Sequence, residues 1–184
     1  MKATNIIFLF YLFFLTGSLL IAAITYSPYQ QDKMRAANAD QDFITEAVKG
    51  GKMEVEMGNL AKDKAQNSRV KAYADMMVRD HTKANSELES LLKEKKYSPP
   101  SQQMDKQEDH MSSLKNQHGK DFDRAYMKMM VKDHDKDIDL FTKESNSGTD
   151  SQLKDFARKT LPLLKVHLDS AKTIYSDLDK STMY

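Results

Sequence analysis

The chain has 184 residues, with 28 basic and 27 acidic side chains and no cysteine. A phosphate-backbone binder gathers Lys and Arg on one face, whereas these charges are balanced and interspersed, so no nucleic-acid partner is expected. Without cysteine there are no disulfides, no thiolate chemistry and no lipid-modified N-terminal Cys, and the fold must rest on its apolar core.

The N-terminus differs from everything after it. Lys2 is the only charge in the first thirty residues, and an uncharged, mostly apolar run extends from Ile6 to Thr25. A basic start before such a run is the pattern of a secretory signal, and roughly twenty residues is also the length that spans a bilayer. Residues 1–27 therefore read either as a cleaved signal peptide or as an uncleaved membrane anchor. Small-x-small cleavage patterns are poor, since Thr25-Tyr26-Ser27 runs into Pro28 and Ala37-Asn38-Ala39 lies well beyond the apolar run. Both readings export the remainder to the cell envelope, periplasmic or on the outer surface. The membrane is a partner only if the segment is retained. Residues 28–39 are polar, contain Pro28 and lack periodicity, the features of a linker.

From Asp40 the pattern is helical, with few alternating β-branched runs to compete as strands. A first helix over about 40–65 repeats Phe43, Ala47, Gly50, Glu54, Met57 and Ala61 at three- and four-residue steps, and Asn67-Ser68 supplies a turn and an N-cap. The second buries Val70, Tyr73, Ala74, Met77, His81, Ala84, Leu88 and Leu91 before Tyr97-Ser98-Pro99-Pro100 stops it. A longer connection carries a short helix around 105–114. The third helix, about 121–145, presents Phe122, Tyr126, Met130, His134, Ile138 and Phe141, and the fourth starts near Asp150 with Leu153, Ala157, Leu161, Leu164, His167 or Leu168, Ala171 and Ile174. Pro162 inside this last pattern predicts a kink unless it opens a separate segment. The class is all-α: residues 40–180 form an antiparallel four-helix bundle of two hairpins, long enough for one core.

A repeat marks the interior. Ala72-Tyr73-x-x-Met76-Met77-Val78-Arg79-Asp80-His81 returns as Ala125-Tyr126-x-x-Met129-Met130-Val131-Lys132-Asp133-His134. Each copy places Tyr, Met and His at i, i+4 and i+8, along one apolar helix face. Glu54 lies on the apolar phase of the first helix, where an ionised carboxylate is costly unless paired or metal-bound. It precedes the first turn by about as many residues as separate that turn from His81. His134 precedes the second turn by a similar interval, and His167 lies farther after it, about a turn out of plane.

Glu54, His81, His134 and His167 thus form a candidate first shell suited to iron, manganese or zinc. Tyr73, Asp80, Tyr126 and Asp133 are candidate supporting groups, and they equally suit the plainer reading of core histidines satisfied by hydroxyls and carboxylates. Met57, Met77 and Met130, one turn from the site, with imidazole would suit copper(I), although core filling is their simpler role. The usual di-iron Glu-x-x-His spacing is missing, because Val78 and Val131 stand three residues before the histidines. Gly50-Gly51 leaves room for a neighbouring helix, water or a ligand. No Gly-rich phosphate loop or Gly-x-Ser-x-Gly elbow is present, so nucleotide and serine-hydrolase chemistry lose their support.

Glu54 after Gly50-Gly51, the Met-Val-x-Asp-His segments, Phe122-Asp123-x-x-Tyr126 and Leu161-Pro162-x-Leu164-x-x-His167-Leu168 occur in an order that carries a resemblance. Over about 40–178 the chain resembles the ferritin-like domain-of-unknown-function family of bacterial envelope proteins labelled "predicted outer membrane protein". The resemblance implies an exported ferritin-like four-helix bundle and no β-barrel. It carries no activity. Three functions stand as expectations: metal handling or stress protection at the core site, a non-catalytic structural or interaction module with a buried His/Glu network, or a redox enzyme with an open metal position.

Overall fold

The computed structural model describes residues 27–97 and 107–180. Among them the chain forms five helices and no strand: α1 (Pro28–Lys64), α2 (Ser68–Lys95), α3 (Gln107–Lys115), α4 (Gly119–Ser147) and α5 (Ser151–Lys180). The expected signal or anchor falls outside these residues except for Ser27, and no described helix is long and apolar enough to cross a membrane.

Residues 28–39 correct the sequence expectation, because they are helical and continuous with α1. Proline at the first helical position costs nothing, since the amide it lacks would have no intrahelical partner there. The following Gln, Met, Arg and Ala residues are good helix formers, so propensity carries the helix where no apolar period announces it. Pro162 likewise sits inside α5, which remains one element. It lies on the exposed face, as does Arg158 four residues earlier, so the carbonyl that loses its amide partner is left to water.

Two buried aspartates join the hairpins and fix their direction. Asp123, near the start of α4, accepts the backbone amides of Gln66 and Asn67 in the α1–α2 turn at 3.1 and 2.8 Å. Asp40 on α1 accepts the amides of Thr149 and Asp150 in the α4–α5 turn at 2.8 and 3.0 Å, and the Thr149 hydroxyl as well. The start of α4 therefore lies beside the first turn, and the second turn lies beside the early part of α1. Helices α1 and α5 run one way and α2 and α4 the other, and the connection carrying α3 returns from one end of the molecule to the other.

Helix α1 packs on α2 and α4, and α5 packs on α4 and α2, so packed neighbours are antiparallel. The two helices that carry the repeated motif are diagonal and parallel. This is why the repeats meet residue for residue across the axis. The ring of Tyr73 faces that of Tyr126 at 6.2 Å, and His81 faces His134 at 5.6 Å. Apolar side chains gather in two clusters. One holds Met57, Tyr73, Met77, Phe122, Tyr126 and Met130, and the other holds Phe43, Ile44, Leu88, Phe141, Phe156 and Leu164. The histidines lie between them along the helices.

Gly58 and Gly50 play different parts on α1. A Cβ on Gly58 would stand 2.8 Å from Val78 Cγ2 and 3.3 Å from the Ala74 carbonyl, whereas one on Gly50 meets only Asp137 Oδ1 at 3.7 Å. Gly58→Ala should lower the urea midpoint, because overpacking costs about 1–3 kcal/mol, while Gly50→Ala should raise the midpoint through a gain in helix propensity of up to about 1 kcal/mol. Asp123→Ala removes the acceptor of two part-buried amides in the α1–α2 turn and should cost about 1–3 kcal/mol in the same assay.

Candidate metal centre

Each long helix contributes one side chain to a single level: Glu54 from α1, His81 from α2, His134 from α4 and His167 from α5. Glu54 is 2% exposed, His81 5%, and both His134 and His167 0%. His167 is not out of plane, contrary to the expectation from residue counting. In both hairpins the second-helix partner lies three residues farther from the turn than the first, an axial offset of about 4.5 Å. Side chains tilt toward their helix N-terminus, so the first partner leans away from the turn and the second leans toward it, and the offset closes.

The rings bond in a fixed pattern. His81 Nδ1 lies 2.8 Å from Glu54 Oε2. His134 Nδ1 lies 2.9 Å from the Met130 carbonyl, which can only accept, so Nδ1 carries the proton there. His167 Nε2 lies 3.1 Å from Asp80 Oδ2, and Arg79 holds that carboxylate from outside through two hydrogen bonds. Burial would raise Asp80, but the bonds from Arg79 and His167 outweigh it and hold the carboxyl below its ordinary value. His167 Nε2 therefore donates.

With those nitrogens engaged, the opposite ones converge. His81 Nε2 is 3.3 Å and His134 Nε2 is 3.4 Å from His167 Nδ1. The three histidines offer nitrogens within 4.8 Å of one another. Burial pushes His81 down to about 4 and His134 down to about 3, and lowers His167, so all three rings are neutral at pH 7. When Glu54 is ionised, His81 donates to it from Nδ1, and three lone pairs then meet at one point. That is a donor set for a cation.

Asp137, three residues after His134, was not among the residues singled out from sequence. Its carboxyl hydrogen-bonds that of Glu54. Ligand-capable atoms of Glu54, His134 and Asp137 lie within 4.8 Å of one another. Oε1 of Glu54 has no amide or hydroxyl donor among the described residues. His134 Nδ1 is 3.5 Å away with its proton committed to Met130. Burial raises Asp137 well above its ordinary value and takes Glu54 to about 8, so the pair holds a proton at pH 7.

The remaining candidates separate clearly. Asp80 touches the site through His167. Asp133 lines a cavity with Glu54 and pairs with Lys136 at 3.8 Å. Met57, Met77 and Met130 are fully buried in the apolar cluster, and Met130 serves the site through its carbonyl. The hydroxyls of Tyr73 and Tyr126 are buried with no partner among the described residues, and burial raises both phenols.

The fold and this centre define an all-helical domain with a buried three-histidine cluster backed by carboxylates. The chain belongs to the family described as "Domain of unknown function (DUF4142)", whose model matches residues 26–174. Among solved structures it is similar to a DUF305 protein from Streptomyces coelicolor titled as secreted, with 15% identity and a TM-score of 0.67, covering 77% of this chain and 92% of that one. A DUF305 fragment from Deinococcus radiodurans gives 10% identity and a TM-score of 0.69, covering 77% and 98%. CopM in its Cu(II)-bound form gives 16% identity and a TM-score of 0.63, covering 75% and 96%. At these identities the likeness is one of fold. No curated protein matches the sequence significantly.

The raised Glu54 predicts a pH effect on the metal-free protein. Between its unfolded value of 4.5 and its folded value of about 8, the folded state binds the extra proton, so stability falls as pH rises through that window. The depressed histidines act in the opposite sense only below 6.5, where the unfolded chain would protonate them. Thermal melts should therefore show lower stability at pH 8.5 than at pH 6.5; Asp137, raised as well, acts in the same sense, so Glu54→Gln should reduce that slope and Glu54→Gln/Asp137→Asn should flatten it.

Proposed function

We propose that this domain is an exported, ferritin-like metal-binding protein of the cell envelope that holds one divalent cation through His81 Nε2, His134 Nε2 and His167 Nδ1. One observation carries the reading: each imidazole has its far nitrogen tied to an acceptor, Glu54, the Met130 carbonyl or Asp80, which leaves the near nitrogens to converge. Orienting contacts of this kind select the ring tautomer and raise ligand basicity at metal sites. Spacing supports it as well. Zinc–imidazole bonds of about 2.0–2.1 Å in a tetrahedron place neighbouring nitrogens about 3.3–3.4 Å apart. The two separations to His167 Nδ1 are 3.3 and 3.4 Å, and the three histidines offer nitrogens within 4.8 Å of one another.

Three neutral nitrogens suit zinc or copper(II) better than manganese, which favours carboxylate oxygen, and iron(II) stands between. Glu54 is then an orienting group for His81 rather than a ligand at the same point. A three-nitrogen set leaves a fourth position for water or a small ligand, and a metal there would supply Lewis-acid or redox chemistry. The Cu(II)-bound relative and the relative titled as secreted support metal handling and export. The apolar run Ile6–Thr25 supports export too, by cleavage or by anchoring.

The test is elemental analysis of the full chain, purified in detergent without chelator or histidine tag, followed by titration with zinc, copper(II), iron(II) and manganese(II). One equivalent of zinc or copper should bind, and the His81→Ala/His134→Ala double variant should bind none while remaining helical. Glu54→Gln should weaken binding about 10- to 100-fold without abolishing it. A parent that takes up none of the four ions would leave a structural module whose rings only hydrogen-bond one another.

A further inference from the structure

Two cavities meet at the Glu54–Asp137 pair. The outer one, about 220 Å³ between α1 and α4, is lined by Glu46, Gly50, Glu54, Asp133, Lys136 and Asp137. An inner one of about 20 Å³ reaches His81 and Thr160, and it too is lined by Glu54 and Asp137. We infer that the outer cavity is the loading port through which the cation reaches the histidines, with the Glu54–Asp137 pair as its gate.

The inference rests on the metal-binding reading above, and three features carry it. On α1, Glu46, Gly50 and Glu54 fall at i, i+4 and i+8, so one helix face presents a carboxylate, a gap and a second carboxylate at increasing depth. The gap is the one that Gly50 leaves, and its nearest neighbour there is Asp137 Oδ1. On α4, Asp133 and Asp137 lie one turn apart along the opposite wall. Lys136 is the cavity's one basic lining residue, so the wall favours cations over anions. At the floor Glu54 Oε1, on a side chain 2% exposed, has no amide or hydroxyl donor among the described residues. A cation passing inward finds that unpartnered oxygen at the floor, and rotation of either carboxyl joins the two cavities.

The test is stopped-flow uptake of zinc by the metal-free full chain in detergent, followed with a chromophoric chelator as competitor, alongside equilibrium affinity. Glu46→Gln/Asp133→Asn removes the rim charges, and at low ionic strength it should slow loading by about tenfold, an effect that fades in high salt. Glu87→Gln/Glu89→Gln, which removes two exposed carboxylates elsewhere on α2, should load at the parent rate. Gly50→Leu fills the gap without changing charge and should slow loading in all salt conditions, with zinc affinity unchanged at equilibrium. Parent-like rates in both port variants, with normal affinity, would overturn the port and leave the metal site standing. A parent that binds no zinc at equilibrium would overturn both.

Discussion

Everything at the centre of this molecule follows from where three imidazole protons are held. A buried neutral histidine has one donor and one acceptor nitrogen, and the partner of one decides what the other can do. Here the partners stand on the outer side of each ring: a carboxylate from α1, a main-chain carbonyl within α4 and a carboxylate at the edge of α2. The inner nitrogens are left as acceptors facing one another. A proton resolves such a meeting only between two rings at a time. A cation resolves it among all three.

Holding this arrangement is costly, because uncharged rings and a carboxyl pair are taken out of water, and the fold offsets that cost with apolar packing above and below. The two clusters are separate, and the polar level lies between them. Asp40 and Asp123 bind each hairpin's turn to the other hairpin, which fixes the axial register of the four helices. Register is what the centre requires, since a slip of one residue moves a ring by about 1.5 Å and turns it by about 100°.

Much of this was legible in the chain. The repeat on α2 and α4 announced paired Tyr and His positions, and Glu54 on an apolar phase announced a partner. The crossover connection then made the repeated helices parallel and diagonal, so that equivalent residues meet. Residue counting alone places His167 out of plane, because it ignores side-chain tilt. Asp137 was missed because it sits in the charged run Asp133-His134-Asp135-Lys136-Asp137, where a solvated face is the simpler reading. Its signal was the phase: Met130, His134, Asp137 and Phe141 follow one another at four-, three- and four-residue steps, the same stripe that carries the core. The helical start at Pro28 carried no apolar period to read.

Long-range proton–nitrogen correlation NMR of the uniformly labelled full chain, before and after zinc is added, reads directly which nitrogen of each ring is free. Zinc-loaded protein should show protons on Nδ1 of His81, Nδ1 of His134 and Nε2 of His167, with the other nitrogen of each ring shifted by metal. Any of these three rings carrying its proton on the inner nitrogen in the zinc-loaded state, or leaving its nitrogen shifts unmoved by zinc, would contradict the account.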